Sequence, residues 1–151
     1  MPARRTSGFT LIELMISVTV LIILLSISVP SFTSVFTRMR VEGVANELAA
    51  DLQYARSESI RLRLDVSLTP DADGLGYQLL NAGTALKAVR FATGLQISTG
   101  TAVTFSQLRG MSNAVSLDLW ATGAALRIVT NAMGRVLMCS PDQTISGYSA
   151  C

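Results

Sequence analysis

From Phe9 to Val29 the chain is apolar apart from scattered Thr and Ser, and a single charge, Glu13, interrupts the run. At 1.5 Å per residue such a run makes a helix of about 30 Å, the thickness of a bilayer's hydrocarbon core. Residues 9–29 are therefore read as a transmembrane helix. Arg4 and Arg5 precede it and the next cation is Arg38, so the positive charge holds the N-terminus in the cytoplasm and sends the remainder across. A cleavable secretory signal has a shorter apolar core followed by a small-x-small site, whereas this run ends at Val29-Pro30. A twin-arginine signal suits Arg4-Arg5 but not a carboxylate within the core. A plain anchor leaves Glu13 unexplained, because a carboxylate at that depth costs about 3 kcal/mol on insertion scales and by default has a partner and a function.

Composition narrows the function. The chain has 151 residues, enough for one ordinary domain behind the anchor, and no histidine. Without histidine there is no Ser-His or Cys-His dyad and the commonest metal ligand is missing. The chain is read as non-enzymatic, with no cofactor and no metal. Twelve basic against ten acidic residues leave a net charge of +2, too little for a surface built throughout to grip polyanions.

After Pro30 the apolar residues change period. Val41, Val44, Leu48, Leu52, Ala55 and Leu62 recur every three or four residues, which predicts an amphipathic helix over residues 30–64. Glu47, Asp51, Arg56, Glu58 and Arg61 fall between them and are read as its solvated face, with Glu58 and Arg61 spaced to meet there. Beyond Arg63 come short β-prone runs punctuated by Gly, Asn, Asp and Pro. Candidate strands are 65–68, 77–80, 86–91, 102–105, 115–119, 126–130 and 134–138. Residues 69–74 form the turn between the first two. Asp71, Asp73 and Gly74 faintly resemble the start of a calcium loop, but the later ligands are missing and a hairpin turn is the reading adopted. The predicted fold is α+β: a long N-terminal helix, membrane-spanning in its first half and amphipathic in its second, packed against an antiparallel β-sheet or small β-sandwich head at 65–151. Cys139 and Cys151 fall on the oxidising side of the membrane, where a disulfide closing this short loop would contribute roughly 3 kcal/mol.

The order Gly8-Phe9-Thr10-Leu11-Ile12-Glu13 resembles the processing site of type IV pilins and type II secretion pseudopilins. The resemblance implies that residues 1–8 are a leader removed by prepilin peptidase after Gly8. It further implies that Phe9 becomes the methylated N-terminus and that Glu13 is the assembly carboxylate. Pro30 sits where pilin helices often carry a proline, which removes a helical hydrogen bond and allows a kink. Residues 45–60, with the step Ala55-Arg56-Ser57-Glu58, and the late stretches Arg127-Ile128-Val129 and Gly134-Arg135-Val136 before Cys139 are similar to the GspH/FimT family of minor pilins. That family implies a structural subunit near the tip of a type IV pilus or type II secretion pseudopilus. Its partners would be other pilins through the N-terminal helix and an inner-membrane assembly platform, and its head would be periplasmic. Some FimT proteins bind DNA in natural transformation through a Gly-Arg-x-Arg motif. Here Gly134-Arg135-Val136-Leu137 lacks the second arginine, so DNA binding through Arg135 with Arg127 or Arg109 is expected to be weak at most.

Overall fold

The computed structural model describes residues 8–151, with the side chains of 27–31 excepted. The expected leader lies outside the described residues but for Gly8, as do the side chains of Pro30 and the last three residues of the expected span. The chain divides into two compact units, Met1–Phe36 and Thr37–Cys151. One helix, α1 (Leu11–Leu62), contributes to both.

In the first unit α1 opens on Thr10, whose hydroxyl accepts from the Glu13 backbone N–H at 3.4 Å. With Glu13 three residues on, the sequence has the form of a capping box, and a carboxylate in the first turn also suits the helix dipole. The polar residues of the apolar run point their hydroxyls back along the helix. Ser17 donates to the Glu13 carbonyl at 2.8 Å, Thr19 to that of Met15 at 2.8 Å and Ser26 to that of Ile23 at 2.7 Å. Leu11, Ile12, Leu14, Ile16 and Leu21 to Leu25 are all exposed. Among the described residues no helix is long and apolar enough to cross a membrane, the described side chains of the apolar run stopping at Ser26.

In the second unit the helical period does what the sequence requires of it. Val41, Ala45, Leu48, Leu52, Ala55 and Ser59 make one buried stripe. Arg63, with φ of 54°, then takes the left-handed conformation that ends a helix. Eight strands follow among the described residues: β1 (Val66–Pro70), β2 (Gly76–Asn81), β3 (Thr84–Arg90), β4 (Gln96–Ile97), β5 (Val103–Phe105), β6 (Val115–Ala121), β7 (Ala124–Thr130) and β8 (Val136–Cys139). They form two four-stranded sheets, β3-β2-β1-β5 and β4-β6-β7-β8, with every pairing antiparallel. Strict alternation in β1 and β7 turns Val66, Leu68, Leu126 and Ile128 inward. These meet Tyr77, Leu79, Ile97, Phe105, Leu117, Leu119 and the helix stripe in one core.

Two differences from the sequence reading have simple causes. The strand β4 is only two residues long, too short to show alternation, and was not anticipated. The face of α1 read as solvated is partly buried: Asp51 and Glu58 retain 8% and 7% of their surface. Glu58 does meet Arg61, in a two-point pair whose Nε–Oε2 contact is 2.8 Å, and that hydrogen bond holds its carboxyl below the ordinary range. Asp51 is buried because partners come to it. The Tyr77 hydroxyl donates to Oδ2 at 2.6 Å, and Lys87 Nζ donates to both oxygens at 2.9 and 2.7 Å while also reaching Glu47 at 3.2 Å. The network pins α1 to β2 and β3, and a buried carboxylate so satisfied is far less costly than a bare one.

The C-terminal segment is pinned at both ends. Cys139 and Cys151 are joined in a disulfide with Cα atoms 5.0 Å apart. Between them Ile145 enters the core and the Tyr148 hydroxyl donates to Glu42 Oε1 at 3.1 Å.

This packing has an alkaline signature. Burial foremost, and then the bond to Asp51, push the Tyr77 hydroxyl well above its ordinary value of 10.0. Its bond to Asp51 likewise raises the Lys87 ammonium above 10.5. Above pH 10 the unfolded chain therefore binds fewer protons than the folded one, and stability falls as pH rises. Thermal melts between pH 8 and 11 should show this fall, and Tyr77→Phe should make it shallower above pH 10, by a slope that approaches one proton or about 1.4 kcal/mol per pH unit near pH 11.

Candidate functional site

The N-terminal motif is presented openly. Gly8 precedes the helix with nothing within 4 Å of where a Cβ would stand, and Phe9 is 82% exposed. Glu13 lies one turn further on, in the first turn of α1, and is also exposed.

The three arginines singled out as nucleic-acid candidates do not come together as one strip. Arg127 on β7 stands directly opposite Asp118 on β6 and donates to both its oxygens, at 2.6 and 3.1 Å. That pair commits its charge and raises its pKa further. Arg135 lines a different groove, of about 380 Å³, with Gln53, Arg56, Gly134 and Val136. Arg109 is exposed beside Gly110. Arg109 and Arg135 are brought near each other by the two glycines that adjoin them: a Cβ on Gly134 would lie 2.3 Å from the Gly110 carbonyl oxygen.

Arg56 occupies the same junction, and sequence reasoning did not assign it there. Its Nη1 donates to the Gly134 carbonyl at 3.1 Å. Its chain runs so close that a Cβ on Gly110 would stand 2.9 Å from Arg56 Cγ. Both glycines have positive φ, 59° and 72°, so they are required twice over, by conformation and by space. Asn131 shapes the turn that carries Gly134, its Oδ1 accepting from the backbone of Met133 at 3.1 Å and of Arg135 at 2.9 Å. Among the described residues Arg56, Arg109 and Arg135 have no carboxylate partner, whereas Arg61, Lys87, Arg90 and Arg127 all do. Leu137, in place of a second motif arginine, is 53% exposed and adds an apolar side chain where the motif would add charge.

The turn with calcium-loop overtones holds its own cation. Arg90 donates to Asp73 at 2.8 Å and reaches Asp71 at 3.4 Å, while Asp73 also caps the Leu75 N–H at 2.9 Å. Among the described residues no three His, Cys, Asp or Glu are grouped to hold a metal ion.

The family model described as type II transport protein GspH matches residues 44–143. The chain belongs to the GspH family. A second model, the prokaryotic N-terminal methylation motif, matches residues 3–29, the stretch that contains Gly8, Phe9 and Glu13. The structure is similar to the type IV minor pilin FimU of Pseudomonas aeruginosa in two crystal forms. One aligns with TM-score 0.55 at 23% identity over 68% of this chain and 94% of that one, the other with 0.58 at 22% over 70% and 92%. It is also similar to the minor pseudopilin EpsH from the type 2 secretion system of Vibrio cholerae, with TM-score 0.56 at 15% identity over 69% and 99%. At these identities the likeness is one of fold: a long N-terminal helix packed on antiparallel sheets. No curated protein matches the chain. These neighbours are a minor pilin and a minor pseudopilin.

The glycine junction yields a direct check in this GspH-family chain. Gly134→Ala must both strain a left-handed residue and displace a backbone carbonyl. It should cost about 2–4 kcal/mol and lower the melting temperature by several degrees, whereas Gly123→Ala, with nothing within 4 Å of its Cβ position, should cost only the strain of its φ.

Proposed function

We propose that the chain is a minor subunit of a type IV pilus or type II secretion pseudopilus, cut by prepilin peptidase between Gly8 and Phe9. It then waits in the inner membrane with its β-rich part in the periplasm, for an assembly platform to lift it into the fibre near the tip. The observation that carries this reading is Glu13, a lone carboxylate in the first turn of α1 among the exposed apolar side chains of residues 9–25, one turn beyond Gly8-Phe9. Cleavage leaves a cationic amine on Phe9. In the membrane or in a bundle of like helices, that amine and the Glu13 carboxylate of a neighbouring subunit each offset the cost of burying the other. The exposed face of residues 9–26 is then the surface shared with other pilins. Pro30, at the end of the apolar run, supplies the place where such a helix can bend.

Mass spectrometry of the membrane-extracted protein should find methyl-Phe9 at the N-terminus and no leader. An intact leader in cells with active prepilin peptidase contradicts the reading. Glu13→Ala should leave insertion intact and reduce incorporation into fibres by roughly two orders of magnitude, the equivalent of about 3 kcal/mol for an unpaired buried charge.

A second reading, a DNA-binding subunit, draws support from Arg56 and Arg135 sharing one groove without a carboxylate. Set against it are Leu137 and the commitment of Arg127 to Asp118, which leave few cations to meet phosphates. Detergent-solubilised chain titrated with labelled duplex at two salt concentrations should bind weakly, and the residue of that binding should vanish in Arg135→Ala. Tight, steeply salt-dependent binding requiring Arg135 and Arg56 favours the DNA reading instead.

A further inference from the structure

We propose that the outer face of the β6–β7 hairpin, walled by the C-terminal loop, binds a glycan chain of β-1,4-linked pyranose rings, one of them seated on Trp120. A recess of about 480 Å³ lies there, lined among others by Asp118 and Trp120 of β6, Ala125 and Arg127 of β7, and Asp142 and Thr144 of the loop. All of these residues belong to the second compact unit. Leu117 and Leu119 of β6 turn into the core, so Trp120 stands on the opposite face of the strand and is 39% exposed. Its partner across the hairpin is Ala125, a side chain too short to cover an indole. The wall is held in place by Ile145, which enters the core, and by the disulfide of Cys139 with Cys151.

The lining dictates the chemistry a ligand must bring. Asp118 holds Arg127 at 2.6 and 3.1 Å, yet the two side chains keep 38% and 37% of their surface exposed. Lone pairs on the one and N–H groups on the other therefore remain for a ligand. Asp142 makes no bond of its own among the described residues, though its charge reaches Arg127. The Thr144 hydroxyl accepts from the Ala125 N–H at 3.1 Å, which leaves its proton to donate. A cation would be opposed by Arg127, an anion would meet two carboxylates against one guanidinium, and a wholly apolar molecule would strip water from all three charges. The set is satisfied by a molecule that both donates and accepts along its edge and turns an apolar face to the indole. A glucose-type ring in a β-1,4 chain does both, since its hydroxyls are equatorial and its faces carry only C–H groups. Small-molecule sites bury roughly 70–90% of their ligand, which side chains exposed by more than a third do not do, so affinity has to be gathered over successive rings. A nucleic acid strand also stacks on indole, but it brings phosphates to a lining with a carboxylate in excess.

The test uses the full chain in a zwitterionic detergent, because sugar-headed detergents would compete, with cellotriose and tri-N-acetylchitotriose as probes. Trp120 is the only tryptophan of the chain, so indole emission reports this site alone. Either trisaccharide should change that emission saturably, at millimolar concentration or below, and should bind more tightly than glucose. Asp142→Asn, at an exposed loop residue, should weaken binding roughly tenfold, as loss of a hydrogen bond to a charged group does. Ala125→Leu, which fills the space beside the indole, should abolish it. A melting curve separates blockage from unfolding in that variant, and Asp142→Asn carries the test if it does not fold. Asp73→Asn, an equal loss of charge in a turn of the other sheet, should leave binding unchanged. No saturable change with either trisaccharide overturns the site, as does binding that survives Asp142→Asn at full strength or falls equally in Asp73→Asn. Equal affinity for glucose and cellotriose makes the ligand a free monosaccharide and overturns the chain assignment. Saturation by an oligothymidine in place of either sugar assigns the recess to nucleic acid and overturns the glycan.

Discussion

The fold depends on one act of burial: the stripe of Val41, Ala45, Leu48, Leu52 and Ala55 that α1 lays into the shared core. The two sheets have no strand in common, so neither continues into the other through hydrogen bonds. They are held as one body by apolar contact, of which α1 supplies a large share, and by a few bonds such as that from the Ile97 N–H to the Gly74 carbonyl at 2.9 Å. A buried leucine cut back to alanine in such a stripe typically costs 2–5 kcal/mol, comparable with the whole margin of a small domain.

Polar groups then fix how the helix lies. Hydrophobic contact is tolerant of sliding, but the Asp51 carboxylate can meet Tyr77 and Lys87 in only one register. Arg56 does the same one turn further along. It enters the junction between the loop after β5, which belongs to one sheet, and the turn before β8, which belongs to the other. A side chain usually counted as surface is thus the joint at which loops from both sheets meet the helix.

How far this could be read from the sequence follows the range of the interaction concerned. The apolar stripe of α1 is set by neighbours three or four residues apart, and it was legible. β1, β2, β6 and β7 announced themselves as β-prone runs between Gly, Asn, Asp and Pro. What escaped depended on residues distant in the chain. Asp51 looked solvated because nothing local shows that Tyr77, 26 residues on, will deliver a hydroxyl to it. Arg127 looked like a free cation because its pairing with Asp118 is a consequence of strand register. Gly110 carried no sequence signal and Gly134 was read only as the start of a strand and of the Gly134-Arg135 motif, until folding placed one carbonyl against the other's missing side chain.

The hydroxyls of Ser17, Thr19 and Ser26, each turned onto a carbonyl of its own helix, bear on what surrounds that helix. A hydroxyl satisfied from within asks nothing of its medium. Residues 11–26 can exchange one apolar environment for another, lipid tails for the flanks of other helices, without breaking or forming a hydrogen bond at these positions. The free-energy profile for such an exchange is then nearly flat along the segment. On the proposed route from membrane to fibre its one steep feature would be the carboxylate at Glu13, so a single residue would set the direction of the exchange.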